Sequence, residues 1–73
     1  MKTTITSKER VQLLGLLMIA ERHKGILREI EYATRDLLGA RDEGGHIGFA
    51  IYDDAIRPDA DRLLEQLGIV VEG

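Results

Sequence analysis

Two histidines, His23 and His46, are the side chains of this chain best suited to acid–base or metal chemistry. Imidazole changes its charge near neutral pH and is a common metal ligand. The single serine, Ser7, falls in the expected first turn of a helix, away from both histidines in the chain, so a Ser-His-Asp arrangement has no support. We expect His23 to stabilise the carboxyl end of a helix, and we expect no catalytic residue and no enzymatic activity.

Carboxylates near His46 raise the question of a metal site. Glu43, Asp53 and Asp54 could surround a divalent cation together with His46. However, the segment has neither an i,i+4 ligand pair nor the spacing of a calcium loop. We expect a solvated acidic loop and no metal. The chain has no cysteine, which excludes thiolate zinc sites, disulfides and cysteine nucleophiles and fits a cytoplasmic protein.

The glycines of the same region do not predict a nucleotide site. Gly44, Gly45 and Gly48 follow no recognisable strand and do not match the spacing of a phosphate-binding loop. We interpret them as turn residues. The sequence therefore predicts no bound cofactor.

A helix-turn-helix motif is one alternative interpretation of the first half of the chain. Ala20 and Ile30 are ten residues apart, as are the first-helix alanine and second-helix apolar residue of that motif, and Arg28 and Arg35 would lie on the second helix. The turn glycine, Gly25, comes one position later than the motif requires. An ordinary αα-hairpin explains the same pattern.

Charge is divided unevenly along the chain. Residues 1–41 contain eight Lys or Arg and five Asp or Glu, a net charge of +3, whereas residues 42–73 contain two and eight, a net charge of −6. The total of −3 gives little general attraction to nucleic-acid phosphates. Direct sequence-specific binding to nucleic acid is therefore not expected, although a DNA-binding regulator stays open as an alternative.

The longest predicted helix covers residues 6–24. Thr6 and Glu9 have the spacing of a capping box, and Gly25 is suited to end the helix in the left-handed conformation. Aliphatic residues occupy most of its circumference, which predicts that it needs cover on more than one side. The apolar run at residues 11–20 is too short to span a bilayer and lacks the paired small residues of a signal-peptide cleavage site.

Two further helices and one helical turn complete the prediction. Residues 26–38 place Ile26, Ile30, Ala33 and Leu37 on one apolar stripe, with Gly39 as the helix-ending residue. Residues 49–52 are expected to form a short helical turn. Residues 58–67 form the last helix, with Pro58 as its first residue, and Gly68 followed by Ile69 predicts a Schellman ending.

The predicted fold is an all-α single domain over residues 1–73. It is a small bundle of three to four helices around the N-terminal helix, with residues 1–5 as an extended lead-in and residues 69–73 as a flexible tail. On the outer side of the second helix, Glu31 and Arg35 form an i,i+4 pair that we expect to be solvated.

Residues 6–17 (TSKERVQLLGLL), residues 45–54 (GHIGFAIYDD) and the length of the chain resemble a family of small bacteriophage transcription regulators. These are antitermination factors that bind host bacterial RNA polymerase near the N-terminal region of its β′ subunit. The resemblance implies inhibition of σ70-dependent initiation, transcription antitermination and a location in the cytoplasm of the bacterial host. It transfers no individual functional residue.

The residues that we expect to contact a protein partner form two groups. A charged and partly apolar surface suits protein binding, and Arg and Tyr are enriched at the energetic centres of interfaces. The first group surrounds the predicted turn between the first two helices, and the second follows the glycine loop. The candidates are Arg22, Lys24, Arg28, Phe49, Tyr52, Asp53 and Asp54. Helix-end stabilisation and core packing are their structural alternatives, and a self-associating structural subunit, such as a homodimer, is a further functional alternative.

Overall fold

A computed structural model of the chain describes residues 1–41 and 58–73. Within these ranges the chain forms three α-helices, one 3₁₀ turn and two short strands. In chain order they are β1 (Thr4–Thr6), α1 (Ser7–Arg22), the 3₁₀ turn (Lys24–Ile26), α2 (Leu27–Leu37), α3 (Ala60–Leu67) and β2 (Val70–Glu72). The helical turn expected at residues 49–52 lies outside the described residues.

The capping box at the start of α1 is confirmed. The backbone N–H of Glu9 donates to Oγ1 of Thr6 over 3.1 Å, and the backbone N–H of Thr6 donates to Oε1 of Glu9 over 3.0 Å. Two amides at the helix start that have no intrahelical acceptor are thereby satisfied. The start of the longest helix was therefore predictable from two residues.

The predicted end of α1 is wrong by two residues. The last helical residue is Arg22, and the backbone N–H of His23 donates to the Ile19 carbonyl over 2.8 Å. Gly25 does not adopt a positive φ. The chain instead tightens into the 3₁₀ turn, in which the Ile26 N–H donates to the His23 carbonyl over 3.1 Å, so no left-handed residue is required.

Gly39 ends α2 in the left-handed conformation, as predicted. Its φ is +67°, and the N–H of Ala40 donates to the Arg35 carbonyl over 2.8 Å, which is the outer bond of a Schellman motif. A Cβ at Gly39 would lie 3.1 Å from Cγ of Lys2. The position therefore requires glycine for its backbone conformation and for the close approach of the N-terminal segment.

The predicted start of α3 is wrong because a carboxylate caps it. Asp59 is the N-cap residue, and its Oδ1 accepts a hydrogen bond from the Arg62 N–H over 3.0 Å. Pro58 therefore precedes the cap and is not the first helical residue, which is Ala60. The side-chain acceptor at Asp59 fixes the helix start because it satisfies a free amide and carries negative charge at the positive end of the helix dipole.

The Schellman ending of α3 is confirmed. Gly68 has a φ of +71°, its N–H donates to the Glu65 carbonyl over 3.1 Å, and the N–H of Ile69 donates to the Leu64 carbonyl over 2.9 Å. The Ile69 side chain is buried, as the apolar contact of this motif requires.

A two-stranded parallel sheet corrects the all-α prediction. β1 and β2 pair with Thr4 opposite Val70 and Ile5 opposite Val71. The Val70 N–H also donates to the Thr3 carbonyl over 3.0 Å. Thr4 and Ile5 of the predicted extended lead-in belong to β1, and residues 70–72 of the predicted flexible tail pair with this strand as β2.

The core lies between α1, α2, α3 and the sheet. Leu13, Leu17 and Ala20 of α1 are fully buried. The other buried apolar residues lie in β1, α2 and α3 and in the short segments that follow α2 and α3. They are Ile5, Ile30, Leu38, Ala40, Ala60, Leu63, Leu64 and Ile69.

The buried face of α2 differs from the predicted stripe. Ile30 is in the core as expected, but Ile26 is 41% exposed. Thr34 is fully buried, and its hydroxyl donates to the Ile30 carbonyl over 2.7 Å, which satisfies the polar group without a partner outside the helix. The core face of α2 is thus rotated toward Thr34 and Leu38.

The Glu31–Arg35 pair is not the solvated pair that we predicted. Arg35 is only 8% exposed, and its Nε lies 3.3 Å from Oε2 of Glu31. A buried guanidinium needs hydrogen-bond acceptors around it, and the adjacent carboxylate supplies one. The i,i+4 spacing predicted the Glu31–Arg35 pair, but the apolar pattern placed this pair on the solvent side of α2.

Candidate protein-binding surface

The three cations predicted to contact a partner all lie exposed around one turn. Arg22 is the last residue of α1, Lys24 begins the 3₁₀ turn, and Arg28 is the second residue of α2. We call these three residues the basic turn. The chain folds locally in this way because α1 ends at His23 and only three residues separate that cap from α2. The structure therefore brings together the first predicted group.

Helix stabilisation explains some of this charge but not all of it. Arg22 is at the carboxyl end of α1, where a cation interacts favourably with the helix dipole. Arg28 is in the first turn of α2, where the same dipole disfavours a cation. Neither Arg22 nor Arg28 forms an ion pair with any residue that the structure describes. The helix dipole therefore accounts for the position of Arg22 but not for that of Arg28.

The second predicted group is not described. Phe49, Tyr52, Asp53 and Asp54 lie outside residues 1–41 and 58–73. Their assignment as partner contacts stays a prediction.

The burial of Arg35 bears on the helix-turn-helix alternative. Ala20 and Ile30 are both buried, as that motif requires, but an αα-hairpin requires the same. Arg28 is exposed, whereas Arg35 is buried beside Glu31. Of the two cations on which the DNA interpretation rested, only Arg28 is presented to a ligand.

One face of α1 is apolar and exposed. Val11 is 62% exposed, Met18 is 40% exposed and Ile19 is 42% exposed. Positions i, i+7 and i+8 lie on the same side of a helix, so these side chains form an apolar stripe on the side opposite Leu13 and Ala20. The prediction that α1 needs cover on a second side is consistent with this stripe, although its residues were not among the predicted contacts.

An open groove of about 760 Å³ lies beside this stripe, between α1 and α2. Gly15, Leu16 and Ile19 of α1 face Ala33 and Leu37 of α2 across it. We call this feature the α1–α2 groove. Its lining is completed by Lys2, Gln12 and Asp36. Ala33 and Leu37 were predicted as core residues, and both are only partly buried because they line the groove.

Gly15 is the least expected residue of the groove. Glycine in a helix interior costs about 1 kcal/mol relative to alanine. A Cβ added at Gly15 would meet nothing in the described chain within 4 Å, so the packing of α1 against its neighbours does not require glycine here. The absence of a side chain keeps the middle of the groove open. The sequence shows the glycine, but only the structure shows that no neighbour within residues 1–41 and 58–73 accounts for it.

The two charged residues that line the groove, Lys2 and Asp36, have partners within the chain. Lys2 Nζ lies 2.8 Å from Oε2 of Glu9, and Arg41 Nε lies 3.0 Å from Oδ1 of Asp36. The hydrogen bonds from Lys2 and from the Thr6 backbone lower the pKa of Glu9. The groove therefore presents an apolar floor, and its charged margin residues Lys2 and Asp36 are already neutralised, which suits apolar side chains of a protein.

Metal binding and membrane insertion have no support in the described part of the chain. In residues 1–41 and 58–73, no group of three or more His, Asp or Glu side chains is placed to hold a metal ion. None of the helices that the structure describes is long and apolar enough to cross a membrane. Comparison with known proteins finds no matching family model, no matching curated protein and no matching solved structure.

Proposed function

We propose that this chain is a phage-encoded regulator that binds host bacterial RNA polymerase at the N-terminal region of the β′ subunit. In this proposal it acts in the cytoplasm of the bacterial host, lowers σ70-dependent initiation and promotes readthrough of terminators. No covalent step is involved. Occupancy of a site on the enzyme disfavours any other factor whose binding mode excludes it.

The observation that supports a protein partner most strongly is the basic turn. Arg22 and Arg28 are exposed and form no ion pair with a described residue, and Arg28 lies where the dipole of its own helix disfavours it. What distinguishes Arg28 from other exposed arginines is that it lies at the same turn as Arg22 and Lys24, and a cluster of exposed cations suits an acidic surface on another molecule. The identity of that molecule as RNA polymerase comes from the resemblance of residues 6–17 and 45–54 to the antitermination factors.

Electrostatic complementarity at such a surface would mainly increase the rate of association. Exposed complementary charges raise the association rate, and this effect weakens as salt screens them. We therefore expect binding to polymerase to become slower with rising ionic strength. The small size of the chain suits this mode of action, since a regulator of a large enzyme needs only to cover a surface.

A binding assay with a matched pair of variants tests the proposal. Purified core polymerase and a separate β′ N-terminal fragment serve as baits for the full chain. Arg28→Glu is compared with Arg62→Glu, because each removes an exposed arginine from the first turn of a helix. Arg28→Glu is expected to weaken retention at least about tenfold, as charge reversal at a complementary contact should. Arg62→Glu is expected to bind as the wild type does.

The possible outcomes test the identity of the partner and the identity of the contact residue separately. Retention of the wild type by neither bait contradicts the polymerase proposal. Equal retention of both variants contradicts the assignment of Arg28, and Tyr52→Ala and Asp53→Ala then test the second predicted group. Binding of the wild type to a promoter fragment alone, lost steeply with salt, would instead support the DNA-binding alternative.

A further inference from the structure

The two sides of the α1–α2 groove complement each other in size. The helices run roughly antiparallel. His23 and the 3₁₀ turn join the end of α1 to the start of α2, and the Lys2 N–H donates to the Leu38 carbonyl over 2.8 Å, which places the end of α2 beside the segment that enters α1. Since both rise equally per residue, each step forward along α1 matches a step back along α2. Among the residues that line the groove, this antiparallel order pairs Gly15 with Leu37 and Ile19 with Ala33. In each pair, a small residue on one helix is matched by a large residue on the other.

The two sides also differ in charge near the 3₁₀ turn. Arg22 follows Gly15 by seven residues and Glu29 precedes Ala33 by four, so each lies on the groove side of its own helix. Arg22 ends α1 and Glu29 is in the first turn of α2, which puts them at the same end of the groove. Neither forms an ion pair with a residue that the structure describes. One margin is therefore positive and the other negative.

We propose that the α1–α2 groove binds the same groove of a second copy of this chain. A two-fold axis parallel to the helices would place α1 of one copy against α2 of the other. Gly15 would then receive Leu37 of the second copy, and Ile19 would lie over Ala33 of the second copy. Arg22 would face Glu29 of the second copy. Because the axis repeats every contact, each favourable pair occurs twice.

The charges favour this dimer over the other two-fold symmetric dimer in which the two grooves face each other. In that alternative, the two-fold axis lies in the interface and runs perpendicular to the helices, so α1 packs against α1 of the second copy. The two α1 helices would then be antiparallel and would cross near Gly15. Lys8 and Arg22 are each seven residues from Gly15, so two pairs of like charges would meet. Like charges in contact disfavour a complex. The α1-on-α2 arrangement removes this repulsion and also explains why Gly15 carries no side chain.

This inference is independent of the polymerase proposal. Self-association is measured with the chain alone, so failure of one proposal leaves the other intact. Arg22 belongs to both surfaces, whereas Arg28 is five positions from Ala33 and therefore lies away from the groove. The polymerase test accordingly uses Arg28, and the dimer test uses Arg22 and Glu29.

Sedimentation of charge-reversed variants tests the proposal. The wild type is expected to form dimers in a concentration-dependent way. Arg22→Glu and Glu29→Arg should each weaken dimerisation at least about tenfold, since each creates two like-charge contacts per dimer. An equimolar mixture of the two variants should recover the dimer, because every pair across the interface is again opposite in charge. Recovery in the mixture cannot arise from contacts within one chain.

Gly15→Gln gives a second test. Nothing in the described chain lies within 4 Å of the added Cβ, and glutamine favours helix more than glycine, so the monomer should fold at least as stably. The new side chain would occupy the space for Leu37 of the second copy, and the dimer should be lost. A wild type that stays monomeric at every concentration overturns the proposal. So does a mixture that fails to associate, or a Gly15→Gln dimer as stable as the wild type.

Discussion

Arg10 and Asp61 form a two-bond ion pair between α1 and α3, across 51 positions of the chain. Arg10 Nε donates to Oδ1 of Asp61 over 2.7 Å, and a terminal guanidinium nitrogen donates to Oδ2 over 2.7 Å. This parallel geometry is more specific than a single contact between a carboxylate and a lysine. Arg10 thus links the first turn of α3, which carries Asp61, to the first turns of α1.

The Arg10–Asp61 pair should make part of the stability depend on acid pH. The hydrogen bonds from Arg10 lower the pKa of Asp61 below its ordinary value of about 3.9. Stability from this pair is therefore present above about pH 4 and is lost as pH falls through the lowered pKa. Asp61→Asn should reduce the free energy of unfolding at pH 6, and the difference from wild type should shrink below about pH 4.

Chemical unfolding at a series of pH values measures this effect, with Glu65→Gln as the control on the same helix. The pKa of Glu9 is lowered too, but Glu9 is present in every variant and its contribution cancels. A difference between wild type and Asp61→Asn that stays constant down to about pH 2 would show that the ion pair is not formed.

Leu17 and Met18 are neighbours on α1 with opposite environments. Leu17 is fully buried, whereas Met18 is 40% exposed. Leu17→Ala should lower the free energy of unfolding by about 2–5 kcal/mol because it leaves a cavity in the core. Met18→Ala should cost much less. Leu14 is only half-buried, so Leu14→Ala should fall between them. Urea unfolding at low protein concentration gives all three values, and equal losses at Leu17 and Met18 would contradict the described core.

Gly39 and Gly68 provide a second matched comparison. Both have left-handed backbones, with φ of +67° and +71°. An added Cβ would meet Lys2 at Gly39 but nothing in the described chain at Gly68. Gly68→Ala should cost about 1–2 kcal/mol from backbone strain alone, and Gly39→Ala should cost more. Thermal and urea unfolding of the two variants measures the difference. Equal costs would mean that the N-terminal segment does not pack against the end of α2.

The parallel pairing of β1 with β2 should be visible in amide hydrogen exchange. The Val70 amide donates to the Thr3 carbonyl, so we expect it to exchange much more slowly than that of Gly73, which follows the strand. Val70→Pro would remove this donor and should lower stability, whereas Val70→Ala, which keeps the amide of this exposed residue, should cost much less. Rapid exchange at both amides would restore the flexible-tail prediction.

The helix ends show what sequence could predict here. The capping box at Thr6 and Glu9 and the left-handed glycines 39 and 68 were all identified correctly, because each depends on residues within one turn of each other. The end of α1 and the start of α3 were missed. α1 is capped at His23 and not ended by Gly25, and α3 is capped at Asp59, so that Pro58 precedes the helix.

Long-range features could not be predicted in the same way. β1 and β2 are three residues each and pair across more than sixty positions, so neither has enough length for alternation to show. The burial of Arg35 depends on how α2 is rotated in the fold, which the apolar pattern placed incorrectly. The cations of the basic turn were named from the sequence as candidate contacts. The groove around Gly15 could not be predicted, because it depends on the relative positions of α1 and α2.

The most direct measurement of the central claim is transcription with purified components. Bacterial RNA polymerase with σ70 would transcribe a template that carries one promoter and one terminator, with and without the chain. We predict fewer initiated transcripts when the chain is added before σ70 and more readthrough when it is added to elongating polymerase, with Arg28→Glu impaired in both and Arg62→Glu active. Unchanged initiation and unchanged readthrough at saturating wild-type protein would contradict the claim that this chain regulates polymerase.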